Sequence, residues 1–297
     1  MTLEAPMRCS ALAEQLGEPM IGTVDQRERW LLLEDRSAWG ADAVKDLFGA
    51  DAAARAKALR LRLLLVRRRE GDPAADAVRQ AILVDTTTGQ MATRTVTAAA
   101  ELSIDDAAAM SLTDFGAPLA GPLFVVCTNG KRDACCALRG RALVAALAAA
   151  HGERVLECTH LGGHRFAGNL VCLPDGIVYG RVSPVDGSRL ADAYLDGRLD
   201  PALLRGRSAW PAAAQVAEQA LRSELGLDRV SDVRLEEATT GGAHASVLLR
   251  TDSATYQFEL HADRLAPARP TSCRDDEREE PLHWVISPEA RRAPGRS

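Results

Sequence analysis

Aromatic residues are scarce in this chain: Phe, Trp and Tyr make up 4% of its 297 residues. A core built without them must come from Leu, Val and Ala, and 46% hydrophobic residues is ample material for one. Long apolar runs are also missing. None approaches the ~20 residues that span a bilayer. The opening stretch, MTLEAPMRCSALAEQLG, has no basic segment followed by an apolar one, so secretion is not expected and the expected location is cytoplasmic, with no membrane partner. Positive charge is not in excess either. Thirty-six Lys and Arg against 41 Asp and Glu leave a net charge of −5, which argues against nucleic acid as a partner. The chain has no C-x-x-C motif, no convincing pair of catalytic carboxylates and no internal repeat.

What is present concentrates between Leu123 and Val182. Seven cysteines, scattered and odd in number, read as free thiols and metal ligands rather than as a disulfide framework. The run LFVVCTNGKRDACCALRG places Cys127 at the end of an apolar stretch, with Cys135 and Cys136 eight and nine residues later. The run VLECTHLGGHRFAGN then brings His160 and His164 on either side of Gly162 and Gly163. Two thiols from one loop and two imidazoles from another are the inventory of a four-coordinate metal or iron–sulfur site. Cys127 ends a predicted strand, at the mouth of a sheet where loops carry function. Cys135 and Cys136 fall in the first turn of a helix capped by Asp133, where free N–H groups favour a thiolate. Either can partner Cys127, which leaves the other as a surplus thiol. The glycine pair reads as room for the backbone to approach an inorganic centre. Cys9, Cys158, Cys172 and Cys273 read as small buried hydrophobes, and His151, His244, His261 and His283 as ordinary surface or turn residues. Arg132 and Arg165 flank the candidate ligands.

Periodicity and turn chemistry predict an α/β fold in three units followed by a tail. Residues 1–118 form an α/β subdomain. Its helices are predicted at 9–17 (with Ser10 as cap), 42–48, 51–59 and 105–110, its strands at 30–34, 60–67, 80–85 and 93–97, with a turn at 70–75. Residues 119–205 run strand, helix, strand, strand, strand, helix, the order of a small thioredoxin-like unit, with a Pro-Asp-Gly turn between the last two strands. Residues 206–287 form an α+β module. It starts with an amphipathic helix over 212–225 that ends at Gly226, followed by strands at 230–237, 245–250, 255–260 and 282–286. The charged run 274–280 reads as a solvated loop and 288–297 as a disordered tail.

The run CTNGKRDACCALRG followed by ECTHLGGHRFAGNLVCLPDGIVYGRV resembles the sucrase/ferredoxin-like family, a branch of the thioredoxin-like [2Fe–2S] ferredoxins. CSALAEQLGEPMIGT and WLLLED carry the likeness more loosely into the first third. The resemblance implies a thioredoxin-like ferredoxin domain between the α/β N-terminal subdomain and the α+β C-terminal module. It implies a [2Fe–2S] cluster with Cys127 and Cys136 on one iron, because the family spacing leaves eight residues between the cysteines. His160 and His164, matching the H-x-x-x-H motif of the bis-histidinyl branch, take the other iron. The implied function is one-electron transfer or redox sensing, with proton coupling through the imidazoles and with donor and acceptor proteins as partners. A structural zinc site on the same Cys2His2 set is the alternative, and a thiol enzyme using Cys135 or Cys136 is a third reading.

Overall fold

The computed structural model describes residues 7–68, 78–274 and 277–287, so the predicted turn at 70–75, part of the 274–280 run and the tail lie outside the described residues. Leu- and Val-rich runs form β1 (Arg29–Glu34), β2 (Leu61–Arg67) and β3 (Arg79–Asp85), followed by the more polar β4 (Gln90–Val96) and the two-residue β5 (Ala117–Pro118). They continue as β6 (Leu123–Cys127), β7 (Val155–Cys158), β8 (Leu170–Leu173), β9 (Ile177–Tyr179) and β10 (Leu204–Arg207). All ten join one sheet of order β10-β9-β8-β6-β7-β2-β1-β3-β4-β5. The β1/β2 and β6/β7 pairs are parallel and the other pairings antiparallel. Parallel neighbours need a crossover. Here α2 (Ala43–Phe48) and α3 (Ala52–Ala58) bridge the first pair, and α6 (Ala134–His151) bridges the second. The α/β class expected from the sequence is the one that forms.

The sheet is covered differently along its length. Over β1–β4, Leu31, Leu33, Leu63, Leu65 and Leu83 pack against α2, α3, α4 (Ile104–Ala109) and α5 (Leu112–Phe115). Over β6, β8 and β9, one face packs on α6 and α7 (Pro184–Leu195) through Leu143, Val144, Leu147 and Leu190. The opposite face curls onto itself around Trp30, Leu64, Val125, Cys127, Leu156 and Val171. Trp30 Nε1, on the interior strand β1, donates to Ser208 Oγ, just past the edge strand β10, at 3.0 Å and ties the two across this core. By length and composition α6, with the turn after it, is apolar enough to cross a membrane. Its Leu143, Val144 and Leu147 are spent on the sheet instead.

A second sheet, β11 (Arg234–Gly241), β12 (His244–Arg250), β13 (Thr255–Arg264) and β14 (Leu282–Ile286), is an antiparallel meander. Helix α8 (Ala212–Leu225) lies between the two sheets, and Ala213, Ala214, Ala217 and Leu221 share a core with Leu204 of β10 and with Val247, Phe258 and Leu260. Buried Glu218 fixes it there, accepting from Arg207 Nε at 2.8 Å and Arg222 Nε at 2.9 Å. Gly226 ends α8 in the left-handed conformation, as predicted. Some boundaries differ from expectation. In α1 (Cys9–Gln15) Ser10 lies inside the helix rather than capping it, because its hydroxyl is spent on the Cys135 thiol. β11 starts later than residue 230, since the Asp232 carboxylate accepts the Arg229 N–H and holds 230–232 in a helical turn.

Candidate metal centre

Cys127 and Cys158 stand opposite each other at the ends of parallel β6 and β7, so the loops that leave these strands emerge side by side. After β6 the chain is turned by Asn129, whose Oδ1 accepts from the Lys131 and Arg132 N–H groups at 3.1 and 3.3 Å. Asp133 then caps α6, accepting the Cys135 N–H at 2.9 Å. Gly140 lets the helix lie close: a Cβ there would stand 2.2 Å from the carbonyl oxygen of Cys127. Cys135 and Cys136 are neighbours in a helix, so their side chains leave it about 100° apart. Cys136 Sγ lies 3.3 Å from His164 Nδ1, in the same buried cluster as Cys127 and Cys158. Cys135 turns the other way, to Cys9 at 3.6 Å and Cys273 at 3.3 Å.

The second loop is stitched to β2 by Thr159, whose N–H donates to the Leu65 carbonyl at 3.0 Å and whose hydroxyl accepts the Leu65 N–H at 3.2 Å. Gly162 and Gly163, at φ 82° and 69°, reverse the chain, and the imidazoles of His160 and His164 stack with centroids 4.5 Å apart. The expected reason for the second glycine is corrected by the structure. A Cβ on Gly163 would fall 2.3 Å from Arg205 Nη2, so the space belongs to a guanidinium and not to an inorganic group. Buried Arg205 holds the loop through Gly162 O at 3.3 Å and Asn169 Oδ1 at 2.8 Å, and reaches Thr23 O at 3.0 Å. Cys127 at the end of β6, Cys136 in the first turn of α6, and His160 and His164 from the chain after β7 are therefore brought to one end of the sheet.

The charge state of this cluster suits a cation. Interaction with the Cys136 thiol, then with Cys158 and with nearby His160, holds the Cys127 thiol well below the ordinary range against the effect of burial. Cys136 is pushed up in return, first by that interaction and then by burial. Cys127 Sγ also lies 3.1 Å from the Thr159 carbonyl oxygen, a dipole end that no anion favours. Burial, and then the neighbouring His160, press His164 down to about 4, so its imidazole is neutral at pH 7. His160 Nδ1 is buried with no hydrogen-bond partner, a cost that a ligated metal would remove. Asp133, Cys136 and His164 each offer a ligand atom within 4.8 Å of the others. Thiolate, neutral imidazole and carboxylate together form a group that can bind a metal. Burial alone would raise Asp133, but the N–H groups of Cys273 and Cys135 outweigh it and hold the carboxyl below its ordinary range.

Both imidazoles line a cavity of about 400 Å³ with Asp42, Arg132, Arg165 and Arg274. Arg132 pairs with Asp42 at 2.7 Å. Arg165 is no solvated charge: its Nε is 2.7 Å from buried Glu18, which also takes Arg269 at 2.9 Å. The expectation that Cys158 and Cys172 are buried holds, although Cys158 also lies beside the candidate ligand Cys127. Cys273 departs from it, being exposed. Its setting in the polar run TSCRDDEREE was the available signal. Asp133 was legible only as a cap, and no local pattern marks Arg205.

A family model described as Sucrase/ferredoxin-like matches residues 20–206, well over half of the chain. No curated protein and no solved structure matches.

Proposed function

The chain belongs to the sucrase/ferredoxin-like family, and on that premise we propose that it is a redox protein holding a [2Fe–2S] cluster on Cys127, Cys136, His160 and His164. The observation that carries this reading is the convergence of the four side chains. Cys127 and Cys136 lie in one buried cluster, the two imidazoles stack, and Cys136 meets His164 at 3.3 Å. The tight three-atom group of Asp133, Cys136 and His164 leaves out Cys127 and His160, so the donor set is wider than one zinc tetrahedron. That favours two metal atoms. Neutral imidazoles in place of two thiolates remove negative charge, so the bound cluster would exchange one electron at a higher potential than a four-cysteine centre. The order β7-β6-β8-β9, parallel then antiparallel, supports a thioredoxin-like unit for 119–205.

The chain's own part is to bind, shield and move a proton. An imidazole that ligates through one nitrogen keeps a titrating site on the other, and both rings border the cavity. Donor and acceptor proteins would dock over the cavity rim, where Arg274 and the Asp42-paired Arg132 lie. The potential is expected to fall by roughly 59 mV per pH unit between the histidine pKa values of the two oxidation states.

The deciding measurement is metal and sulfide content after anaerobic, iron-replete preparation. A red-brown protein with about two iron and two sulfide per chain is expected. A colourless protein whose zinc disappears on Cys136→Ser would overturn the cluster and leave a Cys2His2 zinc site.

A further inference from the structure

We propose that Cys9, Cys135, Cys273 and Asp133 form a second metal centre, a structural zinc site distinct from the one above. It rests on three thiols that the cluster reading does not use, and it assigns to this site the Asp133 carboxylate that lies between the two groups.

Three thiols far apart in the chain meet in a triangle. Cys9 and Cys135 are 3.6 Å apart, Cys135 and Cys273 3.3 Å, and Cys273 and Cys9 3.4 Å. A zinc–thiolate bond of about 2.3 Å sets tetrahedral sulfurs roughly 3.8 Å apart, so small movements admit the ion. A disulfide needs about 2.05 Å and would use only two of the three sulfurs. The Asp133 carboxylate lies within the same 4.8 Å sphere and completes a three-sulfur, one-oxygen set. Such a soft, closed donor set selects zinc over magnesium or calcium.

The surroundings are those of a metal ligand shell. Ser10 Oγ donates to Cys135 Sγ at 3.3 Å, and the Cys9 N–H donates to Cys273 Sγ at 3.5 Å. Asp133 is oriented by the Cys273 N–H at 2.8 Å and the Ser272 hydroxyl at 3.0 Å. Outer hydrogen bonds of this kind fix ligand orientation. Arg139 lies within Coulombic reach of Cys135 and Cys9 and offsets their charge. Cys273 is exposed and gives an ion a way in, while Cys9 and Cys135 are buried. The clip joins helix α1, the first turn of α6 and the 271–274 loop. It would thereby steady the helical turn that also carries Cys136.

The test is zinc and iron content of the full chain, prepared anaerobically in medium containing both metals. One zinc per chain is expected beside the iron. Cys273→Ser, an exposed position, and Cys9→Ser should lose the zinc and keep the iron, whereas Cys136→Ser should lose the iron and keep the zinc. Cobalt added to zinc-free chain should give the intense visible bands of a tetrahedral thiolate site in wild type and in Cys136→Ser, and not in Cys273→Ser. The proposal fails if zinc survives Cys273→Ser or Cys9→Ser with the fold intact by circular dichroism. It also fails if zinc leaves with Cys136→Ser, or if peptide mapping finds two of the three thiols joined as a native disulfide. Loss of iron alone from wild type would strike the cluster reading and leave this one standing.

Discussion

Gly162 and Gly163 look interchangeable in the sequence, and the structure makes them unequal. Both have positive φ, 82° and 69°, so alanine at either costs roughly 1–2 kcal/mol of backbone strain. At Gly162 nothing lies within 4 Å of an added Cβ, and that strain is the whole cost. At Gly163 the Cβ would stand 2.3, 2.7 and 2.8 Å from Nη2, Cζ and Nη1 of Arg205. The guanidinium is buried and cannot swing into solvent. It would have to move off its bonds to Asn169 Oδ1 (2.8 Å) or Thr23 O (3.0 Å). Each such charge-assisted bond is worth about 1.5–3 kcal/mol. Gly163→Ala should therefore cost about 3–5 kcal/mol in all, a large share of a typical 5–15 kcal/mol stability. Urea unfolding of the metal-free chain, at constant m-value, is the assay. Gly163→Ala should lower the midpoint well beyond Gly162→Ala. In a double-mutant cycle, Gly163→Ala with Arg205→Ala should cost less than the sum of the two, since the clash is gone. Equal losses for the two glycines, or strict additivity with Arg205→Ala, would mean that the Arg205 guanidinium does not constrain position 163.

Cys136→Ser is expected to abolish iron binding, while Cys135→Ser retains it, because Cys136 faces His164 and Cys127 whereas Cys135 faces Cys9 and Cys273; equal iron loss in both would contradict this. In the metal-free chain His164 titrates near 4 against an ordinary 6.5. The unfolded chain then binds more protons between those values, so this contribution is complete above pH 6.5 and is lost as pH falls toward 4. About 3 kcal/mol is at stake. Denaturation midpoints measured across that range should fall for wild type and flatten for His164→Gln. Glu218→Ala strands the buried Arg207 and Arg222 guanidinium groups and should cost about 3–5 kcal/mol by urea unfolding; a loss under 1 kcal/mol would mean that water replaces the carboxylate.

What the sequence determined by itself was local. Strand-length apolar runs such as WLLLE and LFVV set the strands, because their residues have no other way to leave water. The caps and stops at Asp133 and Gly226 were readable because each is a hydrogen-bond or φ requirement satisfied within a few residues. The four candidate ligands were readable too, since each pair lies within ten residues of chain. The tertiary structure decided the rest. Whether β2 pairs with β7, joining strands from the first and middle thirds in one sheet, depends on long-range registry that no short window contains. The direction of Cys135 was decided by a 100° step around a helix and by partners 126 and 138 residues away. Gly163 was identifiable as a turn, but its real constraint is a guanidinium from residue 205. Bonds within a few residues leave their mark on adjacent letters, whereas the meeting of Cys9, Cys135 and Cys273 exists only once α1, α6 and the loop before β14 have packed together.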